Sequence, residues 1–308
     1  MLDLIIVGAG PAGLSAALTA SCFKMRTLII EAGQAGGQLV SMYPWKEVYN
    51  YLGFYKKTGI DVVRAMVEHV KAEGVKIHEN ETVTDIVRHS NPDYYAVKTT
   101  MAEYKCTAII IAMGMGAPNK LGVHGEELNG VLYSIIDPQA FKGKRLVVVG
   151  GGNTAVESAL VSMQHGADVL LVHRREELRA TDNFKEEAKK KLKILWNTEV
   201  RKILGNGRGA VGGILVENNK TGKRDTLQCD FVLLALGSSP PIDFFRKVGI
   251  KTDENGLVIV DSEMRTNLCG IFAAGDACRK WKRIPHAVGD GSIAAYSAYA
   301  FVKKPYWC

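Results

Sequence analysis

A strand, a glycine-rich turn and a helix follow one another twice in this sequence, and this repeat constrains the fold more than any other feature. The apolar residues 2–7 lead into Gly8-Ala9-Gly10-Pro11-Ala12-Gly13 and then into the Ala- and Leu-rich residues 14–21. Residues 144–149 lead in the same way into Gly150-Gly151-Gly152-Asn153-Thr154-Ala155, and Gly150 lies 142 positions after Gly8. A turn of this kind between a strand and a helix opens a doubly wound parallel sheet.

The repeat predicts an α/β protein with two Rossmann-like, three-layer dinucleotide-binding domains. After the second copy, the chain returns to a glycine-rich turn at 270–276 and to a small-residue helix over 292–302. We therefore expect the second domain, residues 116–241, to be inserted in a first domain formed by residues 1–115 and 242–308. A length of 308 residues fits two domains of ordinary size.

The composition, with 47% hydrophobic and 23% charged residues, excludes disordered and collagen-like chains. The longest apolar stretch, residues 108–117, is shorter than the roughly 20 residues of a membrane span, so we expect none. The net charge of +7 is compatible with an acidic partner and equally with ordinary surface charge.

The cysteine spacing bears on metal binding and on redox compartment. The closest two of the six cysteines, Cys269 and Cys278, are nine residues apart, so the sequence contains no CxxC pair and no zinc-binding spacing. This pattern suits a reducing compartment, and residues 1–7 show no secretory signal. We therefore expect a cytoplasmic protein without a metal site.

The first turn has the residues that a dinucleotide requires. Gly8 permits the tight turn, Gly10 lets the backbone approach a pyrophosphate, and Gly13 lets helix and strand pack closely. Glu31, 18 residues after Gly13, ends the next strand, where an acid accepts hydrogen bonds from a ribose 2′-hydroxyl and repels a 2′-phosphate. The first site is therefore predicted to bind FAD or NAD.

The second turn differs at the position that reads the ribose. The strand at 169–172 is followed by His173-Arg174-Arg175, and Arg179 stands four residues further on. Guanidinium groups bind phosphate with two parallel hydrogen bonds, so this site is predicted to prefer NADPH to NADH. The alternative is a solvated basic segment whose charges pair with Glu176 and Glu177.

Across essentially its whole length the sequence resembles the two-dinucleotide flavoprotein reductases of the thioredoxin-reductase type. The resemblance implies that the first domain binds FAD, that Asp276 holds its ribityl chain, that the inserted domain binds NADPH, and that the protein is a homodimer. The matching stretches are Gly8–Gly13, Gly36-Gly37-Gln38-Leu39, Gly150–Ala155, His173-Arg174-Arg175, and Met264-Arg265-Thr266-Asn267 leading to Gly270-Ile271-Phe272-Ala273-Ala274-Gly275-Asp276.

The motifs and the resemblance together give a set of candidate site residues. For FAD they are Gly8, Gly10, Pro11, Ala12, Gly13, Glu31, Gly37, Gln38, Tyr43, Val83, Gly114, Gly275, Asp276, His286, Ala287 and Ser292. For NADP they are Gly150, Gly152, Asn153, Thr154, His173, Arg174, Arg175 and Arg179.

One departure from the thioredoxin reductases concerns their redox-active CxxC, which lies just before the second glycine turn. Ser134 and Asp137 stand at those positions here, and neither can form a disulfide. The ferredoxin–NADP reductases built on the same scaffold also lack the CxxC, and residues 36–49 resemble theirs. That resemblance implies that Tyr43 stacks on the flavin. The alternative is a tyrosine that packs in its loop and has no role in binding the cofactor.

The C-terminal part of the sequence departs from those ferredoxin–NADP reductases. Residues 289–295 are closer to the thioredoxin reductases. The last helix of this chain is expected to begin near Gly289–Ser292, and the resemblance implies that its positive end lies at the flavin. The ferredoxin–NADP reductases usually carry a C-terminal aromatic over the other flavin face, for which Tyr306 and Trp307 are the candidates. Cys278 and Cys308 are the two thiols whose redox role the sequence leaves open.

The expected function is that of an FAD-dependent oxidoreductase that passes electrons between NADPH and ferredoxin. The alternatives are a thioredoxin-reductase-like flavoprotein with a quinone, oxygen or a small disulfide as acceptor, and a non-enzymatic flavin-bound sensor or subunit. The basic loop Arg279-Lys280-Trp281-Lys282-Arg283 is a candidate docking site for the acidic ferredoxin, or an ordinary solvated loop. We expect no nucleic-acid partner.

Overall fold

The computed structural model describes residues 1–90 and 93–304 and divides the chain into two compact units. Unit 1 consists of Met1–Ala117 and Ser239–Cys308, and unit 2 consists of Pro118–Ser238. Elements are numbered along the chain. The candidate residues Tyr306, Trp307 and Cys308 lie outside the described residues.

Unit 1 is built around a mixed sheet that carries helices. Its strands are β1 (Leu2–Val7), β2 (Thr27–Ile30), β3 (Glu47–Val48), β4 (Lys57–Thr58), β5 (Lys76–His78), β6 (Val83–Ser90), β7 (Asp93–Thr99), β8 (Glu103–Ile111) and β17 (Ile271–Ala273). Its helices are α1 (Pro11–Cys22), α2 (Gln38–Ser41), α3 (Gly59–Ala72), α6 (Ile242–Val248) and α7 (Ile284–Lys303), with a 3-10 helix at Gly275–Ala277.

The parallel part of this sheet has the strand order β5-β2-β1-β8-β17. Strands β6 and β7 extend it as an antiparallel meander from the first half of β8. Alternate residues of β1 face opposite sides: Leu4 and Ile6 pack with α1, α3 and α7, while Ile5 and Val7 belong to a second core on the other face. Burial on both faces explains why the strand reads as a continuous apolar run.

Unit 2 repeats the plan on a smaller scale. Its strands are β9 (Val131–Leu132), β10 (Arg145–Gly150), β11 (Asp168–Val172), β12 (Lys193–Leu195), β13 (Thr198–Gly205), β14 (Val211–Asn218), β15 (Arg224–Gln228) and β16 (Phe231–Ala235). Its helices are α4 (Asn153–Gln164) and α5 (Asp182–Lys191), with a 3-10 helix at Pro138–Phe141. Five parallel strands in the order β12-β11-β10-β16-β9 form the main sheet. The antiparallel strands β13-β14-β15 share a core with that sheet.

The predicted last helix differs from the observed one. We expected it to begin near Gly289–Ser292, but α7 begins at Ile284, with Arg283 in extended conformation before it. Pro285 lies in the first turn of α7, where its missing N–H costs no hydrogen bond. Gly289–Ser292 therefore lie inside the helix, beyond its first turn. In the described part of the chain, no helix is both long and apolar enough to cross a bilayer.

The packing of α7 on α1 yields a stability prediction. A Cβ added at Gly291 would lie 2.1 Å from the carbonyl oxygen of Ala12, a backbone atom that cannot move aside alone, whereas one at Gly289 would meet nothing within 4 Å. We expect Gly291→Ala to destabilise unit 1 by about 1–3 kcal/mol. The matched variant Gly289→Ala should be more stable than wild type by about 0.5–1 kcal/mol, since alanine favours helix.

The Tm of each variant by calorimetry checks this, with a decrease of roughly 2–12 °C expected for Gly291→Ala. Equal Tm values for the two variants would contradict the prediction, because they would show that α7 can move away from α1 without loss of stability.

Candidate functional site

The first glycine turn forms the N-terminus of α1. Gly8 has a φ of +105°, and a Cβ there would lie 2.4 Å from the carbonyl oxygen of Ala112 on the neighbouring strand end. A Cβ at Gly13 would lie 1.9 Å from the carbonyl oxygen of Gly8. Because Gly10 caps the helix and has no side chain, the first N–H groups of α1 are left to an external acceptor. This is the geometry that binds a pyrophosphate.

Glu31 lies beside this turn. Its Oε2 accepts a hydrogen bond of 2.7 Å from the Ala9 N–H, and its Oε1 accepts one of 2.9 Å from the Gly33 N–H. These bonds fix the carboxylate at the end of β2 and leave each oxygen able to accept a further bond. The carboxylate is therefore held where a ribose hydroxyl could donate to it, close to the phosphate-binding turn.

The loop before α2 covers the turn. The Gly36 N–H donates to the Ala9 carbonyl oxygen at 2.8 Å. Gly37 has a φ of +58°, and a Cβ there would lie 3.0 Å from the Cα of Gly10. At the start of α2, the Gln38 amide donates to Asp276 Oδ2 at 3.4 Å. The loop thus joins the turn to the residue that the resemblance assigns to the ribityl chain.

Asp276 lies in the 3-10 helix that follows β17. A Cβ at the preceding Gly275 would lie 2.8 Å from the Cβ of Ala12, so this segment passes directly over the N-terminus of α1. Burial raises the pKa of the Asp276 carboxyl, and the side chain's one hydrogen bond among the described residues is that from Gln38. A half-buried carboxyl with acceptor capacity to spare suits the hydroxyl groups of a polyol.

The remaining FAD candidates are distributed around this centre. Ala287 is buried in the first turn of α7, and the exposed His286 has its Nδ1 3.1 Å from the Trp281 carbonyl oxygen. The Ser292 hydroxyl accepts a bond of 3.2 Å from Thr19 on α1, which gives it a role in helix packing. Two more candidates lie at strand ends: Val83, buried at the start of β6, and Gly114, with a φ of +62° after β8.

Tyr43 follows α2, and its backbone N–H donates to the Gln38 carbonyl oxygen at 2.9 Å. The side chain is half-buried, and the Lys46 ammonium lies 5.6 Å from the ring centroid. The backbone of Tyr43 is therefore joined through α2 to Gln38, whose side chain bonds Asp276.

The environment of Cys278 bears on its redox role. Burial raises the pKa of its thiol to about 12, and the Sγ donates to the Gly275 carbonyl oxygen at 3.4 Å. A thiol that stays protonated is a poor nucleophile, so this cysteine does not have the character of a reactive one.

The second glycine turn has the same construction in unit 2. A Cβ at Gly150 would lie 2.5 Å from the carbonyl oxygen of Ala235, and Gly152 caps α4 without a side chain. Asn153 and Thr154 begin α4, and the Asn153 side-chain oxygen accepts from the Thr181 N–H at 2.8 Å. The segment after β11 is thereby fastened to the turn.

His173 lies beneath the second glycine turn. Its side chain is 5% exposed, and a Cβ at Gly151 would lie 2.1 Å from the Cε1 of the ring. Nε2 lies 2.9 Å from the Glu177 carbonyl oxygen, and burial lowers the pKa of the imidazole, which favours the neutral form. His173 thus supports the glycine turn from within, beneath Gly151, and its place among the residues that bind NADP stays a prediction.

Arg174, Arg175 and Arg179 are exposed around the same turn, and the Arg179 N–H donates to the Gly151 carbonyl oxygen at 2.7 Å. The two acids that could have neutralised them are engaged elsewhere, Glu176 with Lys220 and Glu177 with Lys185. Within residues 1–90 and 93–304, none of the three guanidinium groups forms an ion pair. Their charge is therefore available to an anionic ligand.

The loop after β2 is supported by a segment that no sequence motif marks. The Ala35 N–H donates to Glu79 Oε1 at 2.7 Å, and the Asn80 N–H donates to the Gly33 carbonyl oxygen at 2.9 Å. These residues follow β5, the strand next to β2, and no motif marks them, so only strand order could have indicated their role.

Glu81 anchors that supporting segment, and its side chain is 3% exposed. Burial alone would raise the pKa of its carboxyl, but hydrogen bonds from Thr99, Tyr104 and His78 outweigh burial and lower the pKa. In the described ranges no group of three or more His, Cys, Asp or Glu side chains could hold a metal ion.

Comparison with known proteins places these two sites in a family. The family model described as pyridine nucleotide-disulphide oxidoreductase matches residues 2–291. A ferredoxin–NADP reductase of Ignicoccus hospitalis is 36% identical over 100% of both chains, and the thioredoxin reductase of Bacillus subtilis is 38% identical over 98% of this chain and 95% of its own. The crystal structure of Lactococcus lactis thioredoxin reductase superimposes with a TM-score of 0.87 at 35% identity, covering 99% of this chain and 100% of that one.

These likenesses confirm the predicted fold class of two Rossmann-like domains. The chain belongs to the pyridine nucleotide-disulphide oxidoreductase family, in the group that contains the thioredoxin reductases and their ferredoxin–NADP reductase relatives, and its cofactors are FAD and NADPH.

Proposed function

We propose that this protein is a ferredoxin–NADP reductase, with FAD in unit 1 and NADPH in unit 2. The observation that carries the proposal is that the sequence contains no CxxC, and the resemblance places Ser134 and Asp137 at the positions of the CxxC of the thioredoxin reductases. The Asp137 side chain caps the 3-10 helix Pro138–Phe141 by accepting from the Gln139 N–H at 2.9 Å, a structural task that a redox disulfide would not perform. The name of the Ignicoccus relative supports the same acceptor.

The residues of unit 1 fit FAD. In this proposal the N-terminus of α1 binds the pyrophosphate, Glu31 accepts from the ribose, Asp276 accepts from the ribityl chain, and Tyr43 covers one face of the flavin. The first turn of α7 contributes the positive end of a helix, with Lys282 and Arg283 beside it. When bound, FAD supplies hydride acceptance from NADPH and the release of electrons one at a time.

Unit 2 fits NADPH because of the charge around its glycine turn. We assign the pyrophosphate to the N-terminus of α4 and the 2′-phosphate to Arg174, Arg175 and Arg179. The unit 1 site has a carboxylate at the equivalent strand end, which disfavours a 2′-phosphate. The two cofactors are therefore distinguished by the sign of the charge after the second strand of each domain.

The loop 279–283 supports an acidic protein acceptor. Trp281 is 69% exposed, and Lys280, Lys282 and Arg283 are exposed around it. Arg279 is engaged instead in two hydrogen bonds, of 2.9 and 2.8 Å, with the buried carboxylate of Asp290. That ion pair fastens the loop to α7, so three of its four cations face a partner.

A second candidate function, reduction of another acceptor, is favoured by the likeness to the Bacillus subtilis thioredoxin reductase. A quinone or oxygen would serve in that role without a CxxC. The protonated thiol of Cys278 argues against reduction of a small disulfide through that cysteine. The cytoplasmic location, the homodimer and the absence of a nucleic-acid partner remain predictions.

The acceptor assignment predicts the outcome of an anaerobic assay of the purified FAD protein with NADPH, using cytochrome c as the final electron sink. Added ferredoxin should raise the rate strongly and to saturation, with NADH a poor substitute. If NADPH bleaches the flavin but ferredoxin adds nothing, the acceptor is wrong and quinones come next. If NADPH does not bleach the flavin, the protein is a flavin-bound sensor or subunit.

The arginine assignment predicts a change in nucleotide preference. Loss of a charge-assisted hydrogen bond costs about 1.5–3 kcal/mol, so Arg174→Ala, Arg175→Ala and Arg179→Ala should each raise the KM for NADPH about tenfold or more. The KM for NADH should stay unchanged, since NADH has no 2′-phosphate. Lys190→Ala, which removes an exposed cation from α5, is the matched control. Equal effects on NADPH and NADH would contradict the assignment.

A further inference from the structure

The segment between α2 and α3 presents an unusual surface, which we call the aromatic–lysine loop and define as residues 46–57. Leu52 is 97% exposed, Tyr55 is 83% exposed and Tyr49 is 82% exposed. They are the three most exposed large apolar side chains in the described part of the protein, and they fall within seven residues. Exposed apolar side chains concentrated in this way mark an interaction surface.

A strand pair and two inward-facing aromatic rings fix the conformation of the loop. Strands β3 and β4 pair at its base, with Glu47 opposite Thr58. Tyr51 and Phe54 point inward: their rings stack with centroids 5.3 Å apart and pack on the core of unit 1. The outward side chains are thus carried on an ordered support, and their exposure is a property of the fold.

The surroundings of the loop are cationic. The segment 46–64 contains four cations, and it contains two acids, Glu47 and Asp61. The Asp61 carboxylate is already occupied, because it accepts from the hydroxyl and the N–H of Thr58 in a capping box at the start of α3. The cations are Lys46, Lys56, Lys57 and Arg64.

The loop is also joined to the residue proposed to cover the flavin. The Lys46 N–H donates to the Tyr43 carbonyl oxygen at 3.2 Å, and the Gly59 N–H donates back to the Lys46 carbonyl oxygen at 2.8 Å. The base of the loop is therefore fixed to the backbone of Tyr43. A protein bound on this surface would therefore lie next to the residue proposed to cover the flavin.

We propose that the aromatic–lysine loop binds an acidic electron-carrier protein, with Leu52, Tyr49 and Tyr55 as the apolar anchors and the lysines as the rim. This inference rests on the proposed function and extends it with a second contact besides the loop 279–283. Aromatic anchors inside a charged rim are the usual arrangement of a specific transient interface. A second copy of this chain is a poorer occupant, because a two-fold contact would set the same lysines against one another.

The test uses the FAD-loaded protein with oxidised and reduced ferredoxin. Lys56→Glu/Lys57→Glu and, separately, Leu52→Ser/Tyr55→Ser should each raise the ferredoxin KM about tenfold or more, and the lysine variant should lose most of the salt dependence of kcat/KM. FAD content and the rate of flavin bleaching by NADPH should stay at the wild-type values. Lys98→Glu/Met101→Ser, which alters an exposed cation and an exposed methionine around the β7–β8 turn, is the matched control.

The outcomes separate this inference from the proposed function. A ferredoxin KM within twofold of wild type in both loop variants would overturn the inference while the reductase activity stands. If the wild type binds ferredoxin in calorimetry but does not reduce it, the proposed function fails, and loss of that binding in the loop variants still supports the inference. Absence of any ferredoxin binding overturns the inference.

Two other occupants of the loop would be recognised directly. A change in oligomeric mass by light scattering in Leu52→Ser/Tyr55→Ser would identify a second copy as the occupant and overturn the proposal. Wild-type binding to phosphatidylglycerol vesicles that the loop variants lose, with ferredoxin kinetics unchanged, would identify an anionic membrane and overturn it as well.

Discussion

The close approach of backbone to backbone around Gly8, Gly13 and Gly291 is the constraint on which the first site depends. At each of these glycines, an added Cβ would lie within 2.4 Å of a backbone carbonyl oxygen, which is too close for any side chain. The contacts bring the N-terminus of α1, the end of β8 and the second turn of α7 together. Phosphate, ribose and polyol groups can then be bound by elements that are far apart in the sequence but share one rigid centre. A substitution at any of the three positions would move the helix N-terminus that has to meet the phosphate.

The sequence was sufficient for the features that depend on local spacing. The glycine turns, the acid of Glu31 and the arginines after β11 all follow from a strand of fixed length leading into a helix whose N–H groups must remain free. The two apolar cores, one on each face of the unit 1 sheet, follow from the continuous apolar runs of its parallel strands.

The features that the sequence did not reveal depend on contacts between distant residues. The start of α7 at Ile284 was missed because Gly289 and Gly291 look like a helix boundary, whereas Gly291 is required inside the helix by its contact with Ala12. His173 stands beside two arginines among the NADP candidates, and nothing in the sequence indicated that its ring fills the space beneath Gly151 or that burial lowers the pKa of its imidazole. Helix propensity and charge pattern could not predict either position, since each depends on a contact with a residue elsewhere in the chain, Ala12 for Gly291 and Gly151 for His173.

Under the proposed function, Ser134 and Asp137 stand where the resemblance places a redox disulfide, and this changes what the FAD-binding unit has to do at its surface. With a CxxC, electrons leave through a thiol pair and the partner protein meets that pair. Without one, the partner must approach the flavin itself, so recognition has to come from the segments that surround the flavin. The two segments with exposed aromatic and cationic side chains both start from the Gln38–Asp276 contact, the aromatic–lysine loop through Tyr43 and the loop 279–283 through the 3-10 helix. If ferredoxin is the acceptor, as proposed, the absence of a CxxC and the exposed aromatic residues both follow from electron transfer directly from the flavin to a partner protein.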